Sequence, residues 1–116
     1  MDFKDKHTFD ERTAESNRIR SRRSDRIPVI AQRAKYSNKA CPIIDKNKYL
    51  VPIDLSVGQF LWVLRTRLRL PPDAALFVFI NGVMPAVSTL MSTIDINHRD
   101  PDGFVYIYYN MENTFG

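Results

Sequence analysis

The side chains that could act on a substrate are few. His7 and His98 are the two histidines and Cys41 is the one cysteine. No two of them fall at a spacing that pairs a nucleophile with a base. A reactive thiolate needs a cationic or helix-terminal setting. Cys41 is followed by Pro42 among turn formers, and it reads as an inert, exposed or half-buried residue. His98 beside Arg99 reads as charge at a helix end. The glycines at 58, 82, 103 and 116 are scattered and build no phosphate-binding loop. No paired-cysteine or HEXXH pattern offers zinc ligands. The chain is therefore read as no enzyme, with no cofactor and no metal. The last residue is the exception. A glycine carboxylate can thread a narrow channel and be attacked without steric obstruction, so Gly116 has chemical meaning if a suitable fold presents it.

The elements that would present it follow from spacing. Thr8 with Glu11 three places on has the form of a capping box and opens a helix over about 9–23, poor in apolar residues. Ile27–Ala31 reads as a strand, with Pro28 near its start because proline cannot donate to a ladder. Residues 35–47 read as a long loop. Tyr49–Ile53 is a second strand. Ser56 with Gln59 forms another capping box. Val57, Phe60, Leu61, Leu64 and Leu68 then mark one buried face of a helix over 56–69, stopped by Pro71-Pro72. Leu76–Ile80 is apolar on both faces, as a covered inner strand is. Asn81-Gly82 signals a tight turn. Ser88–Asn97 reads as a short helix and Asp100–Gly103 as a turn. The strand Phe104–Tyr109 sends Phe104, Tyr106 and Tyr108 to one side and Val105, Ile107 and Tyr109 to the other. Strand, strand, long helix, strand, short helix, strand is the order of an α+β β-grasp, the ubiquitin-like fold, with a four-stranded mixed sheet.

Composition fits one such domain. The chain has 116 residues, 44% hydrophobic and 26% charged, which argues against wholesale disorder. No apolar run reaches the roughly 18 residues that span a bilayer. A single cysteine forms no internal disulfide and suits a reducing compartment. Charge is uneven: residues 1–48 hold 13 Lys/Arg against 7 Asp/Glu, and residues 49–116 hold 4 against 6. The basic half is either a solvated surface or a contact for an acidic partner. Residues 49–53 contain no polar position, and Trp62 and Val63 lie off the main stripe of their helix. This apolar surplus either forms a groove for a peptide added as an extra strand, or is covered by the N-terminal helix or the 35–47 loop.

The segments AESNRIRSRRSDRIPVI (14–30), DKNKYLVPIDLSVGQFLWVLRTRLRLPPDAALFVFINGVMP (45–85), LMSTI (90–94), DPDGFVYIYY (100–109) and ENTFG (112–116) resemble the autophagy-related ubiquitin-like modifiers, which include GABARAP and the microtubule-associated light chains. KYLVP, VGQF, LPPD, DGF and the terminal aromatic-Gly, in that order, are specific together. The resemblance implies two extra N-terminal helices, a helical subdomain over 1–24 and a ubiquitin-like domain over 25–116 whose tail begins near 110. It implies that Gly116 is activated with ATP, passed as a thioester to a conjugating enzyme and amide-linked to phosphatidylethanolamine. A cysteine protease would trim precursors and release the lipid. The lipid's two acyl chains would anchor the protein stably, at about 0.8 kcal/mol per buried CH₂. Cytoplasm, autophagosome membrane, and vacuole or lysosome after delivery are the implied locations.

The resemblance also implies a surface that binds receptors through aromatic-x-x-aliphatic motifs. Its aromatic pocket falls on Glu15, Ile19, Pro28, Ile30, Lys48, Leu50 and Phe104. Its aliphatic pocket falls on Tyr49, Val51, Pro52, Leu55, Phe60 and Val63, so that each alternating set of the 49–53 strand lines one pocket. Two buried anchors and strand pairing suit an affinity near micromolar, about −8 kcal/mol. Lys46, Arg65 and Arg67, with Lys48, would meet acids flanking the motif. Phe77, Phe79 and Phe115 match residues the processing protease recognises, with core packing the competing role for Phe77 or Phe79. The chain departs from the family pattern in a longer 35–41 loop, which gives Cys41 no inherited role. Five arginines over Arg18–Arg26 bear on membrane or microtubule contact. Whether trimming precedes conjugation stays open, because the sequence closes on Gly116. Two other readings compete: an adaptor of the same fold that never conjugates, and a basic microtubule or nucleic-acid binder working through residues 12–26. No aromatic interleaving there supports RNA readout.

Overall fold

The computed structural model describes residues 2–37 and 40–113; Phe115 and Gly116 lie outside them. The chain runs α1 (Phe3–Lys6), α2 (Phe9–Arg22), β1 (Arg26–Arg33), β2 (Lys48–Pro52), α3 (Val57–Leu68), β3 (Phe77–Phe79), α4 (Met91–His98) and β4 (Val105–Asn110). The strands form a four-stranded sheet in the order β2-β1-β4-β3. β1 and β4 pair in parallel at the centre, while β2 and β3 are antiparallel to their neighbours. This is the mixed β-grasp sheet that the element order implies.

The start signals behave as their chemistry requires. Thr8 N–H donates to Glu11 Oε1 at 2.7 Å and Glu11 N–H to Thr8 Oγ1 at 3.1 Å. Ser56 and Gln59 make the same exchange at 2.9 and 3.1 Å. α3 ends where Arg69 turns left-handed at φ 56°. Asn81 and Gly82 both have positive φ, and Ile80 and Val83 exchange backbone bonds at 2.8 and 3.0 Å, as a two-residue hairpin turn requires.

Pro28 sits in β1 without breaking a ladder. Ala31 N–H donates to Asn47 O, so odd positions of β1 face β2 and even ones face β4. The register with β4 begins at Val29↔Val105, one place beyond Pro28, so the missing donor falls ahead of that ladder.

Three expectations need correction. Leu76–Ile80 is not an inner strand: β3, over Phe77–Phe79, pairs with β4 on one side and forms an edge of the sheet. Cys41 is neither exposed nor half-buried: it has no exposed surface, and it joins Ile44 in the main core. The loop carrying it is pinned inward, because Ile44 N–H donates to the Tyr109 hydroxyl and that hydroxyl donates to Pro42 O, both at 2.8 Å. Burial pushes the Cys41 thiol up, the direction that keeps it unreactive. The helix expected from Ser88 begins at Met91. Its first N–H groups are capped from outside, Met91 N–H donating to Leu55 O at 2.7 Å and Ser92 N–H to Ile53 O at 3.0 Å.

The sheet has two covered faces. Ile27, Val29, Ala31, Tyr49, Val51, Val105, Ile107 and Tyr109 form one core with Val57, Phe60, Leu64 and Leu68 of α3 and Met91 and Ile94 of α4. Ile30, Phe104 and Tyr106 form a smaller cluster with Phe3 of α1, joined by half-buried Ile19 of α2 and Tyr108. The period-two split of β4 is therefore the split between the two faces.

Candidate functional site

β2 is an edge strand, and its alternation decides what it shows. Tyr49 and Val51 are hydrogen-bonded partners of Val29 and Ile27 in β1, and their side chains enter the main core. Lys48 and Leu50 sit at the intervening pairs, so their backbone N–H and C=O groups point away from the sheet. Leu50 is 41% exposed. Neither the N-terminal helix nor the described part of the 35–47 loop covers it. The edge is partly engaged by one side chain, Arg26, whose Nη1 donates to Leu50 O at 3.2 Å.

The expected aromatic set converges on the α2 side of this edge. Ile30 and Phe104 are fully buried and Pro28 is buried beside them. Ile19 packs on their cluster. Glu15 of α2 and Lys48 of β2 form an ion pair, and Lys48 Nζ also stands 5.6 Å from the centre of the Phe3 ring. Phe3 meets Phe104 edge-on at 5.3 Å. Charged and half-exposed groups thus rim an apolar floor.

The expected aliphatic set lies on the α3 side. Tyr49 and Phe60 pack edge-on at 5.5 Å, with Val51 in the same core and Leu55 half-buried against it. Pro52 is half-buried and begins a turn that Leu55 N–H closes on its carbonyl at 3.1 Å. Val63 is 40% exposed on α3. Tyr49, Val51 and Phe60 are buried, so Pro52, Leu55 and Val63 supply the accessible apolar atoms.

The flanking cations are not equivalent. Arg67 Nε donates to Asp45 Oδ1 at 2.9 Å and stays half-exposed. Lys46 Nζ lies 5.3 Å from the Tyr49 ring centre. Arg65 stands apart: its guanidinium donates to Ala74 O at 2.6 Å and to Pro71 O at 3.1 Å, holding the loop after α3. Phe77 and Phe79 are both in β3; Phe79 is buried and Phe77 half-buried.

Phe3 and Arg26 are site neighbours that the sequence reading did not single out. Phe3 follows an Asp2–Asp5 capping box, with Asp5 N–H donating to Asp2 Oδ1 at 3.1 Å. That box was a legible start signal, but a helix of four residues leaves no periodicity to read. Nothing local marks Arg26 as reaching across to β2.

Among the described residues no cluster of histidine, cysteine and carboxylate side chains could hold a metal ion, and no helix is long and apolar enough to cross a membrane.

Comparison with known proteins agrees with the β-grasp fold. The family described as "Autophagy protein Atg8 ubiquitin like" matches residues 11–116. Autophagy-related protein 8 of Scheffersomyces stipitis is 53% identical over 98% of this chain and 81% of its own length. The protein of that name from Colletotrichum lindemuthianum is 54% identical over 98% of this chain and 93% of its own. The crystal structure of Trypanosoma brucei ATG8 superposes with a TM-score of 0.90 at 40% identity, covering 100% of this chain and 98% of that one. A shared β-grasp body, matched from end to end in sequence and in backbone, makes this chain a member of the Atg8 family of ubiquitin-like autophagy proteins.

Proposed function

We propose that this chain is a ubiquitin-like modifier joined through Gly116 to phosphatidylethanolamine, and that on membranes of the forming autophagosome it recruits receptors carrying aromatic-x-x-aliphatic motifs. The observation that supports this most is the open edge of β2. Lys48 and Leu50 offer strand-pairing groups there, between an apolar floor on the α2 side and half-buried Pro52 and Leu55 with exposed Val63 on the α3 side. A peptide laid on that edge sends alternate side chains to opposite faces, so residues spaced as in W-x-x-L reach both. Lys46, Lys48 and Arg67 add positive charge for acids flanking the motif. Activating and conjugating enzymes would load the terminal glycine, and a cysteine protease would release it. Residues 1–24 act as a helical subdomain on the 25–116 body, supplying Glu15 and Ile19 to one pocket.

Two measurements test the reading. Reconstitution with the activating and conjugating enzymes, ATP and phosphatidylethanolamine liposomes gives a mobility shift that Gly116→Ala abolishes; an equal shift in the variant refutes conjugation. A W-x-x-L peptide binds at about micromolar affinity, and Leu50→Ala weakens it roughly tenfold or more. Peptide binding without any shift would leave a non-conjugated adaptor.

A further inference from the structure

β1 and β4 are parallel, so both run out at the same end of the sheet, with Arg33 opposite Tyr109. The segment after β1 is fastened there to the root of the tail. Ala34 N–H donates to Tyr109 O at 2.8 Å. The Tyr109 hydroxyl accepts from Ile44 N–H and donates to Pro42 O, both at 2.8 Å, and Arg33 Nη1 donates to Cys41 O at 2.9 Å. Cys41 and Ile44 enter the main core, whereas Ile43, between the two residues bonded to Tyr109, turns outward and is 74% exposed. Tyr36 is 69% exposed, and Lys35 Nζ stands 5.5 Å from the centre of its ring. No acid lies between Arg33 and Ile44 in the sequence. An exposed aromatic ring, an exposed aliphatic side chain and cations without acids are the composition that settles at the boundary between lipid headgroups and acyl chains.

We propose that Tyr36 and Ile43 form a lipid-contacting surface that lies on an anionic membrane once Gly116 is joined to its lipid, with Lys35 meeting the headgroup anions. The inference rests on the conjugation reading and deepens it. Chain length makes the membrane the occupant. Residues 111–116 follow Asn110, and six residues span at most about 20 Å. Met111 packs on the main core, which shortens that reach. The end of the sheet that holds Tyr36 and Ile43 therefore stays close to the bilayer whatever course the tail takes. The fastening to Tyr109 adds to this. A backbone already fixed loses little freedom on contact, so burying Ile43 in lipid is opposed by less entropy. Ile96 is the counter-case. It is 81% exposed, but α4 leads into the opposite end of β4, so the same tether leaves it away from lipid.

The test reads tryptophan quenching by lipids with brominated acyl chains. Trp62→Phe removes the one native indole, and Ile43→Trp places another in the loop. Gly116→Cys is joined to maleimide-phosphatidylethanolamine in vesicles of phosphatidylcholine and phosphatidylserine; Cys41 is buried and is spared. This linkage needs no enzyme, so it separates the lipid contact from the conjugation reading. Emission from the loop indole falls about twofold or more on brominated vesicles. An indole placed by Ile96→Trp instead is not quenched. Lys35→Glu reduces the quenching in the loop on vesicles with phosphatidylserine and leaves it unchanged on phosphatidylcholine alone. Unquenched emission from the loop, or equal quenching from Ile96→Trp, overturns the proposal. If the loop is unquenched on vesicles while Ile43→Asp slows loading of the full chain by the activating enzyme, the partner is a protein surface and the membrane assignment is wrong. Enzymes that yield no conjugate from the full chain, together with quenching in the tethered protein, refute conjugation and leave the lipid contact standing.

Discussion

The two faces of the sheet are held by different physics. Under α3 and α4 the main core gathers 19 buried residues among those described, Tyr109, Phe60 and Leu64 among the most enclosed. Under α1 and α2 the cluster has four, and the one wholly buried residue of α2 is Ser16. That face is closed by polar contacts instead. Asp102, with no exposed side-chain surface, receives Arg12 Nη1 at 2.6 Å and Phe104 N–H at 2.8 Å, and also the Tyr106 hydroxyl. Burial and the neighbouring Asp102 push the Tyr106 hydroxyl far up, so it remains a donor. Asp95 receives Arg20 and Arg99, each at 2.7 Å. Lys4 reaches Asp100, and Glu15 pairs with Lys48. Ser16 donates to Asp102 O so closely that a Cβ on Gly103, at φ 92°, would lie 2.2 Å from its Oγ. Apolar burial is insensitive to salt and to exact angles, whereas ion pairs and hydrogen bonds depend on both. The α3 face therefore sets the fold, and the α2 face is a docked layer that conditions can loosen. The edge of β2 takes one wall from each.

Substitutions sharpen this contrast, and the largest effect belongs to the apolar face. Phe60→Ala, which empties a fully buried site against Tyr49, lowers unfolding stability by about 3–5 kcal/mol in urea titration. Asp102→Asn removes the charge facing Arg12 in a buried setting and costs about 2–3 kcal/mol. Its amide exchange separates the faces: α2 exchanges faster while α3 keeps its protection. A variant that accelerates both helices equally breaks the distinction.

Acid acts on the ion pair that ties α2 to α4. Burial alone would raise the Asp95 carboxyl, but the bonds from Arg20 and Arg99 outweigh it and hold it below its usual range. The folded value is depressed, so the contribution is complete above the unfolded value, about pH 4, and is lost as pH falls through the folded one. Stability of the wild type falls more steeply than that of Asp95→Asn between about pH 5 and pH 2; parallel profiles would contradict it. The smallest effect is Glu15→Gln. Lys48 is 38% exposed, and solvent screening limits the loss to less than about 1 kcal/mol in thermal unfolding.

The same contrast explains what the sequence disclosed. Apolar periodicity reports burial, so α3, β1, β4 and the alternation of Phe104–Tyr109 could all be read from spacing. The polar face left no such trace. Arg12, Arg20, Asp95 and Asp102 are ordinary surface letters until the fold brings them together across 75 to 90 residues. Cys41 misled because a loop rich in turn formers reads as exposed, whereas the Tyr109 hydroxyl, bonded to Ile44 and Pro42, and Arg33, bonded to Cys41 O, hold it inward. At the site, the pocket residues came from family resemblance, while the apolar surplus at 49–53 and at Trp62 and Val63 was visible in the residues themselves. What spacing could not separate was their fate. Tyr49 and Val51 went into the core, and Leu50, Trp62 and Val63 stayed on the surface.

Amide exchange along β2, with and without a W-x-x-L peptide, tests the reading surface most directly. The amides of Tyr49 and Val51 already donate within the sheet, while those of Lys48 and Leu50 face outward. Strand addition protects Lys48 and Leu50 and leaves Tyr49 and Val51 as they were. Binding that leaves Lys48 and Leu50 unprotected would contradict the account.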